Sequence, residues 1–127
     1  MQNLRIKTVQ VVDSTSINVT FTHDLTPHLS TTNILIVSET ENSPSSDALK
    51  IKISGANLNI TCQPLTPYGA YYLTFQSTPS LPFMSLNGEA KLLEDGVSNK
   101  YLIMGPLPSD NPIKNYLFSF LRDNIYN

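Results

Sequence analysis

The sequence predicts a mainly β fold, an antiparallel β-sandwich followed by a C-terminal amphipathic helix. In most of the chain, apolar and polar side chains alternate, as in strands with one buried face. Turn signals separate these runs at spacings of about 8–12 residues, which is typical of sandwiches. Residues 109–127 change to helical spacings of three and four. The 127 residues suffice for one domain, at about 100–200 residues per domain, so we expect a sandwich at 1–108 and a helix at 109–127.

The clearest strand lies at 16–22, where Ile17, Val19 and Phe21 share one face. Residues 49–54 and 58–63 alternate in the same way around Gly55 and predict a hairpin. Further strands are predicted at 4–12 (with a slip in register at Val9, Val11 and Val12), 33–37, 70–76 and 101–104. The run at 33–37, Asn-Ile-Leu-Ile-Val, is continuously apolar after its first residue. It therefore predicts a strand that is covered on both faces or lies at a sheet centre.

Two segments interrupt this pattern. Residues 39–47 are polar throughout and contain no candidate core residue. Residues 77–100 carry Pro79, Pro82, Gly88 and Gly96 among scattered apolar residues, which predicts a long irregular loop. Long loops within a compact domain are either functional or disordered.

The C-terminal helix is predicted from Asn111 as N-cap and Pro112 at the first helical position. Its apolar side chains supply the candidate interface residues Ile113, Tyr116, Leu117, Phe120, Leu121 and Ile125. Such a stripe packs either onto the sandwich of its own chain or against a neighbouring subunit, and the sequence leaves both alternatives open.

Residues 65–75, Leu-Thr-Pro-Tyr-Gly-Ala-Tyr-Tyr-Leu-Thr-Phe, resemble a stretch of bacterial Ig-like, fibronectin-type sandwich modules. The strand at 16–22 also resembles the second strand of these modules, and the resemblance extends over about residues 4–76. It implies an Ig-like sandwich in which Tyr71, or alternatively Tyr72, bonds back to nearby backbone at a structural corner. We favour Tyr71. The disulfide and the tryptophan of antibody domains are absent, because the chain has one Cys and no Trp.

Charged residues make up 14% of the chain, and eight Lys and Arg against ten Asp and Glu give a net charge of −2. This balance excludes the basic stripe that a nucleic-acid binder needs. Ser, Thr, Asn and Gln together number 42, so the surface is expected to be neutral and hydrogen-bonding. No apolar stretch approaches the length of a membrane span, so membrane insertion is not expected.

No set of residues predicts catalysis, a cofactor or a metal. His23, Asp24 and His28 match no zinc spacing and are interpreted as loop polarity. Glu89, Glu94 and Asp95 lack the spacing of a calcium loop. Cys62 lies in a strand-like run and is expected to be a buried apolar residue. Asn18 and Asn59 begin formal glycosylation sequons, which are interpreted as outward strand positions.

The predicted function is therefore that of a non-enzymatic structural module. The first hypothesis is a phage virion component (tail, fibre, baseplate or capsid decoration) made in the host cytoplasm, because the residues after Met1 lack the apolar core of a signal peptide. Its partners would be other protein subunits, with a homo-oligomer among the options. The alternatives are an adhesion or surface-layer module of a larger secreted bacterial protein, at the cell surface, and a small carbohydrate-binding domain that takes a cell-surface glycan.

Overall fold

The computed structural model describes residues 2–39 and 45–106. These residues form strands joined by turns, together with one turn of 3-10 helix at Thr31–Asn33. The strands, in chain order, are β1 (Gln2–Leu4), β2 (Ile6–Asp13), β3 (Ser16–Phe21), β4 (Ile34–Ser38), β5 (Ala48–Ser54), β6 (Asn57–Cys62), β7 (Ala70–Phe75), β8 (Ala90–Leu92) and β9 (Lys100–Met104).

The strands pair in two antiparallel sheets and one parallel pair. A four-stranded sheet has the order β2-β3-β6-β5, and a three-stranded sheet has the order β4-β7-β9. Strands β1 and β8 pair in parallel, with Leu4 opposite Leu92. The buried faces of the two antiparallel sheets contribute to one apolar core, as the alternation of the sequence requires.

The core is formed by the inward positions of both sheets. Ile17, Val19 and Phe21 face it from β3, with less than about 3% of each side chain exposed. The loop after β7 adds Phe83, whose ring centroid lies 5.4 Å from that of Phe21. The other core residues are Leu4, Leu25, Leu29, Ile34, Ile36, Leu58, Ile60, Cys62, Leu65, Tyr71, Leu73, Phe75, Ala90, Leu92 and Ile103.

Several local predictions are confirmed. Strands β5 and β6 form the expected hairpin, and Gly55 in its turn has a φ of +60°. The slip in the register of β2 is present as shifts between Ile6 and Thr8 and between Val11 and Asp13. Cys62 is buried. These features depend on neighbours in the sequence, which is why local patterns predict them.

The predicted fold class is wrong as it was stated. An Ig-like sandwich with a C-terminal amphipathic helix was expected, whereas residues 2–39 and 45–106 form a mainly β structure without an α-helix. They also contain the parallel pair of β1 and β8, which alternation cannot predict because it concerns two distant three-residue segments. The helix expected at 109–127 and its interface residues lie outside the described residues.

Two further expectations need correction. The run at 33–37 was expected to be covered on both faces, but β4 is an edge strand of its sheet and exposes Leu35 and Val37. Within 77–100, expected to be irregular, the structure contains β8 and the buried Phe83. Phe83 in the loop and Ala90 at the start of β8 are core residues, and their burial has no periodic signal in the sequence.

Candidate functional site

The outer faces of the two antiparallel sheets differ in chemistry. On the four-stranded sheet, Gln10, Asn18, Asn59 and Lys52 lie opposite one another in one row across all four strands. On the three-stranded sheet the corresponding row is Val37, Tyr72 and Leu102. One sheet therefore presents hydrogen-bonding groups to solvent, and the other presents apolar side chains.

We define the apolar face as the large apolar or aromatic side chains on the outward side of the three-stranded sheet, namely Leu35, Val37, Tyr72, Leu102 and Met104. Leu35 and Val37 are 44% and 47% exposed, and Leu102 and Met104 are 56% and 58% exposed. Because successive residues of a strand point to opposite sides, all five lie on the side away from the core. Large contiguous patches of exposed apolar residues on a monomer often mark interaction sites.

Lys100 is a charged residue on the outward side of the same sheet. Its ammonium nitrogen lies 4.1 Å from the centroid of the Tyr72 ring, a cation–π arrangement. Lys100 pairs with Thr74, which is two residues from Tyr72, so both side chains project from the same side of the sheet. The aromatic ring thus holds the cation against the face, and the apolar row beside it stays open to contact.

Tyr71, the predicted corner residue, points into the core with 1% of its side chain exposed. Its hydroxyl accepts a hydrogen bond of 2.8 Å from the backbone N–H of Thr66. The backbone N–H of Leu65 in turn donates to the carbonyl of Ser14, at 2.7 Å, in the turn between β2 and β3. The corner therefore joins the three-stranded sheet to a turn of the four-stranded one, while Tyr72 lies on the apolar face.

The histidines hold positions in loops. The ring nitrogens of His23 are each 2.8 Å from a side-chain oxygen, Nδ1 from that of Thr22 and Nε2 from that of Gln2. His23, Asp24 and Glu89 line a depression of about 220 Å³, and His28 is exposed elsewhere. In the described ranges 2–39 and 45–106, no three His, Cys, Asp or Glu side chains are grouped closely enough to hold a metal ion.

The carboxylates of the long loop cap local backbone. Glu94 accepts a hydrogen bond from the backbone N–H of Ser77. The Asp95 carboxylate accepts from the N–H groups of Ser98 and Val97 and from the Ser98 hydroxyl, and these bonds lower its pKa from the ordinary value of 3.8. At Cys62, burial raises the pKa of the thiol, which disfavours the reactive thiolate.

The two sequon asparagines lie on the polar outer face. The amide nitrogen of Asn59 donates to the side-chain oxygen of Asn18, at 2.5 Å, and to the Ser16 hydroxyl, at 3.2 Å. Asn18 and Asn59 also line a shallow polar depression of about 560 Å³, whose other lining residues are Gln10, Thr20, Lys52, Ser54 and Asn57. Among the residues that the structure describes, no helix has the length and hydrophobicity to cross a membrane.

Comparison with solved structures finds the same fold in a surface-layer protein. The chain is similar to the structure of surface layer protein SbsC, domains 1–6, with a TM-score of 0.67 and 16% identity over 84% of this chain and 14% of that one. The crystal structure of the S-layer protein rSbsC(31–844) gives the same TM-score, identity and coverage. The N-terminal part of the bacterial S-layer protein SbsC gives a TM-score of 0.66 and 19% identity over 84% of this chain and 24% of that one.

The TM-scores show a shared fold, and because the sequence identities are low, the similarity shows the fold alone. The chain spans between 14% and 24% of the length of the proteins it is similar to. No protein-family model and no curated protein sequence matches it.

The residues of the apolar face were not predicted from the sequence as an interface. The predicted interface residues lie outside the described residues, so their role stays a prediction; they are Ile113, Tyr116, Leu117, Phe120, Leu121 and Ile125. The signal for the apolar face was nevertheless present. Strands β4 and β9 are continuously apolar at 34–37 and 101–104, whereas a strand with one solvated face alternates.

Proposed function

We propose that this chain is a non-enzymatic structural module of a cell-surface protein assembly, and that it contacts neighbouring protein subunits through the apolar face. The observation that carries the proposal is the exposure of Val37 and Leu102 in one row with Tyr72. The module would lie at the cell surface as part of a larger protein.

The sequence of β4 does not match its surroundings. A strand with apolar residues at successive positions suits burial on both faces. In β4 only the face toward the core is buried, and Leu35 and Val37 on the other face are exposed. Fully burying one side chain of this size contributes about 1.5–3 kcal/mol. A protein neighbour on the apolar face would therefore be stabilised by the same effect that stabilises the core.

The matched structures support a cell-surface role over a virion role. All three are structures of the surface-layer protein SbsC. The chain covers a small share of each, which fits a module of a longer protein. The neutral surface is also suited to permanent contacts, because few charges mean little long-range repulsion between copies. The proposal assigns no reaction and no cofactor to the chain.

The test is site-specific photocrosslinking in cells that produce the protein. A photoreactive residue replaces Leu102 on the apolar face, and in a separate variant it replaces Leu49 in β5. The two leucines are matched, being 56% and 58% exposed on edge strands of different sheets. We expect position 102 to form covalent adducts with peptides of cell-surface protein, and position 49 to form few.

Equal yields of adduct at the two positions would overturn the proposal, because contact would then follow exposure alone. Adducts at position 102 that contain glycan and no protein would also overturn it.

A further inference from the structure

A strained residue lies at one end of the apolar face. Thr66, Pro67, Tyr68 and Gly69 form a turn in which the N–H of Gly69 donates to the Thr66 carbonyl at 2.9 Å. The φ of Tyr68 is +61°, and in the part of the chain that the structure describes no other residue except glycine has a positive φ. Proline at the second position and a positive φ at the third define a type II turn, which favours Gly or Asn where Tyr68 stands.

Folding makes little use of the Tyr68 ring, because the residue is 66% exposed. Its backbone, by contrast, is fixed: the Tyr68 N–H donates to the Gly105 carbonyl at 2.7 Å, and the Gly105 N–H donates to the Gly69 carbonyl at 2.9 Å. Gly105 directly follows Met104, so the turn is held at the end of the apolar face. A strained position occupied by an exposed aromatic residue is the pattern expected where function opposes stability.

We propose that Tyr68 and the apolar face together bind a second copy of this chain, with Tyr68 as an anchor at the edge of the contact. The inference rests on the proposed function, because it names the partner for the same surface. Tyrosine is enriched among the residues that dominate binding energy at interfaces.

The charge of the apolar face favours the same surface of a second copy as its binding partner. The apolar face carries no net charge, because one carboxylate and one ammonium flank it. Glu39 directly follows β4, and its N–H donates to the Ala70 carbonyl at 2.8 Å. The ammonium of Lys100 is held over the Tyr72 ring of its own chain. An oppositely charged partner would find little to recognise, whereas two copies related by a two-fold axis bring the same neutral patch together. Two sheets packed in this way lie about 10 Å apart, with side chains interdigitating.

The size of the surface sets the strength of the contact. Three strands about 4.8 Å apart, with five residues at about 3.4 Å each, cover about 240 Å² in projection. A stable dimer buries about 800 Å² on each partner. We therefore expect weak pairing in solution, with a dissociation constant above about 10 µM, which becomes effective where copies are held side by side at a surface.

The experiment is sedimentation equilibrium of the full chain from about 20 µM to about 1 mM, on the wild type and three variants. Leu102→Lys places a charge on the apolar face, Leu49→Lys is its matched control, and Tyr68→Gly removes the anchor and the strain together. We expect wild type and Leu49→Lys to associate equally and Leu102→Lys to stay monomeric. Tyr68→Gly should associate at least about tenfold more weakly, while its urea unfolding midpoint is unchanged or higher because glycine accepts the turn conformation.

A wild-type chain that is monomeric throughout would overturn the inference. If position 102 still crosslinks to a different surface protein, the proposed function stands without it. Association of Tyr68→Gly at the wild-type strength would overturn the role of Tyr68 as an anchor. Equal association of Leu102→Lys and Leu49→Lys would overturn the assignment of the apolar face to a second copy.

Discussion

The hydroxyl of Tyr71 accepts a 2.8 Å hydrogen bond from the backbone N–H of Thr66, and this bond links β7 to the turn that precedes it. Tyr71 is 1% exposed, so the hydrogen-bond partner of the Thr66 N–H is a buried residue of the core. The bond fixes the turn at 66–69, and with it the end of the apolar face at which Tyr68 lies.

Removing the hydroxyl should destabilise the fold without removing the ring. In Tyr71→Phe the Thr66 N–H loses its partner at a site sheltered from water, so we expect the free energy of unfolding to fall by about 1–3 kcal/mol. Urea denaturation measures this change. Tyr72→Phe is the control and should change stability by less than about 0.5 kcal/mol, because its ring remains available to Lys100. Equal losses in the two variants would contradict the account of the corner.

Close packing against the same turn makes Gly105 intolerant of a side chain. A Cβ at this position would lie 2.0 Å from the Thr66 carbonyl oxygen, which is a severe clash with backbone. We expect Gly105→Ala to lower the free energy of unfolding by about 3 kcal/mol or more. In Gly96→Ala the new Cβ meets nothing within 4 Å, but φ is +78°, so the strained backbone alone should cost about 1 kcal/mol. Calorimetry that ranks the two variants in the opposite order would count against this corner geometry.

The sequence predicted the corner tyrosine only through a resemblance. The stretch at 65–75 pointed to Tyr71 or Tyr72, and alternation along β7 places one of them inward and the other outward. The approach of Gly105 to Thr66 had no sequence signal, because it depends on how β9 ends beside a turn nearly forty positions earlier in the chain. Contacts of this kind follow from tertiary packing and not from local pattern.

Asn33 is a second buried polar anchor. It is 0% exposed, its amide nitrogen donates to the carbonyls of Gln76 and Leu81 at 2.8 Å each, and its side-chain oxygen accepts from the Ser30 N–H at 2.9 Å. Asn33→Ala leaves three backbone groups without these partners, so we expect a loss of about 3 kcal/mol in urea denaturation. The exposed Asn57→Ala should cost less than about 1 kcal/mol. A loss at position 33 no greater than that at position 57 would refute this role.

Asp95 should make stability depend on pH in acid. Hydrogen bonds from the Ser98 and Val97 N–H groups and from the Ser98 hydroxyl hold the pKa of Asp95 below its ordinary value of 3.8 in the folded state. A folded pKa below the unfolded one contributes stability above the unfolded pKa, and that contribution is lost as the pH falls through the folded pKa. Carboxyl ¹³C NMR titration should give a pKa below 3.8, and Ser98→Ala should raise it. A pKa at or above 3.8 would contradict these contacts.

The candidate site was predictable in its chemistry but not in its exposure. The continuous apolar runs in β4 and β9 indicated burial on both faces, and the core side is indeed buried at Ile36 and Ile103. That the other side is open depends on the strand order β4-β7-β9, which puts β4 and β9 at the edges of the sheet and leaves Val37 and Leu102 47% and 56% exposed. The hydrophobic pattern of a strand indicates which side chains favour burial. The arrangement of the sheets decides whether other parts of the same chain bury them.

The most direct test of the central claim uses side chains that the protein already has. Met104 is 58% exposed on the apolar face, and Met84 lies in the loop after β7. With ¹³C-labelled methionine methyl groups, spectra of the unmodified chain are recorded from about 20 µM to about 1 mM, the range in which weak interfaces associate. We predict that the Met104 signal shifts or broadens as concentration rises, while the Met84 signal stays fixed. A Met104 signal that stays fixed, or moves only together with that of Met84, would contradict the claim that this face binds a second copy.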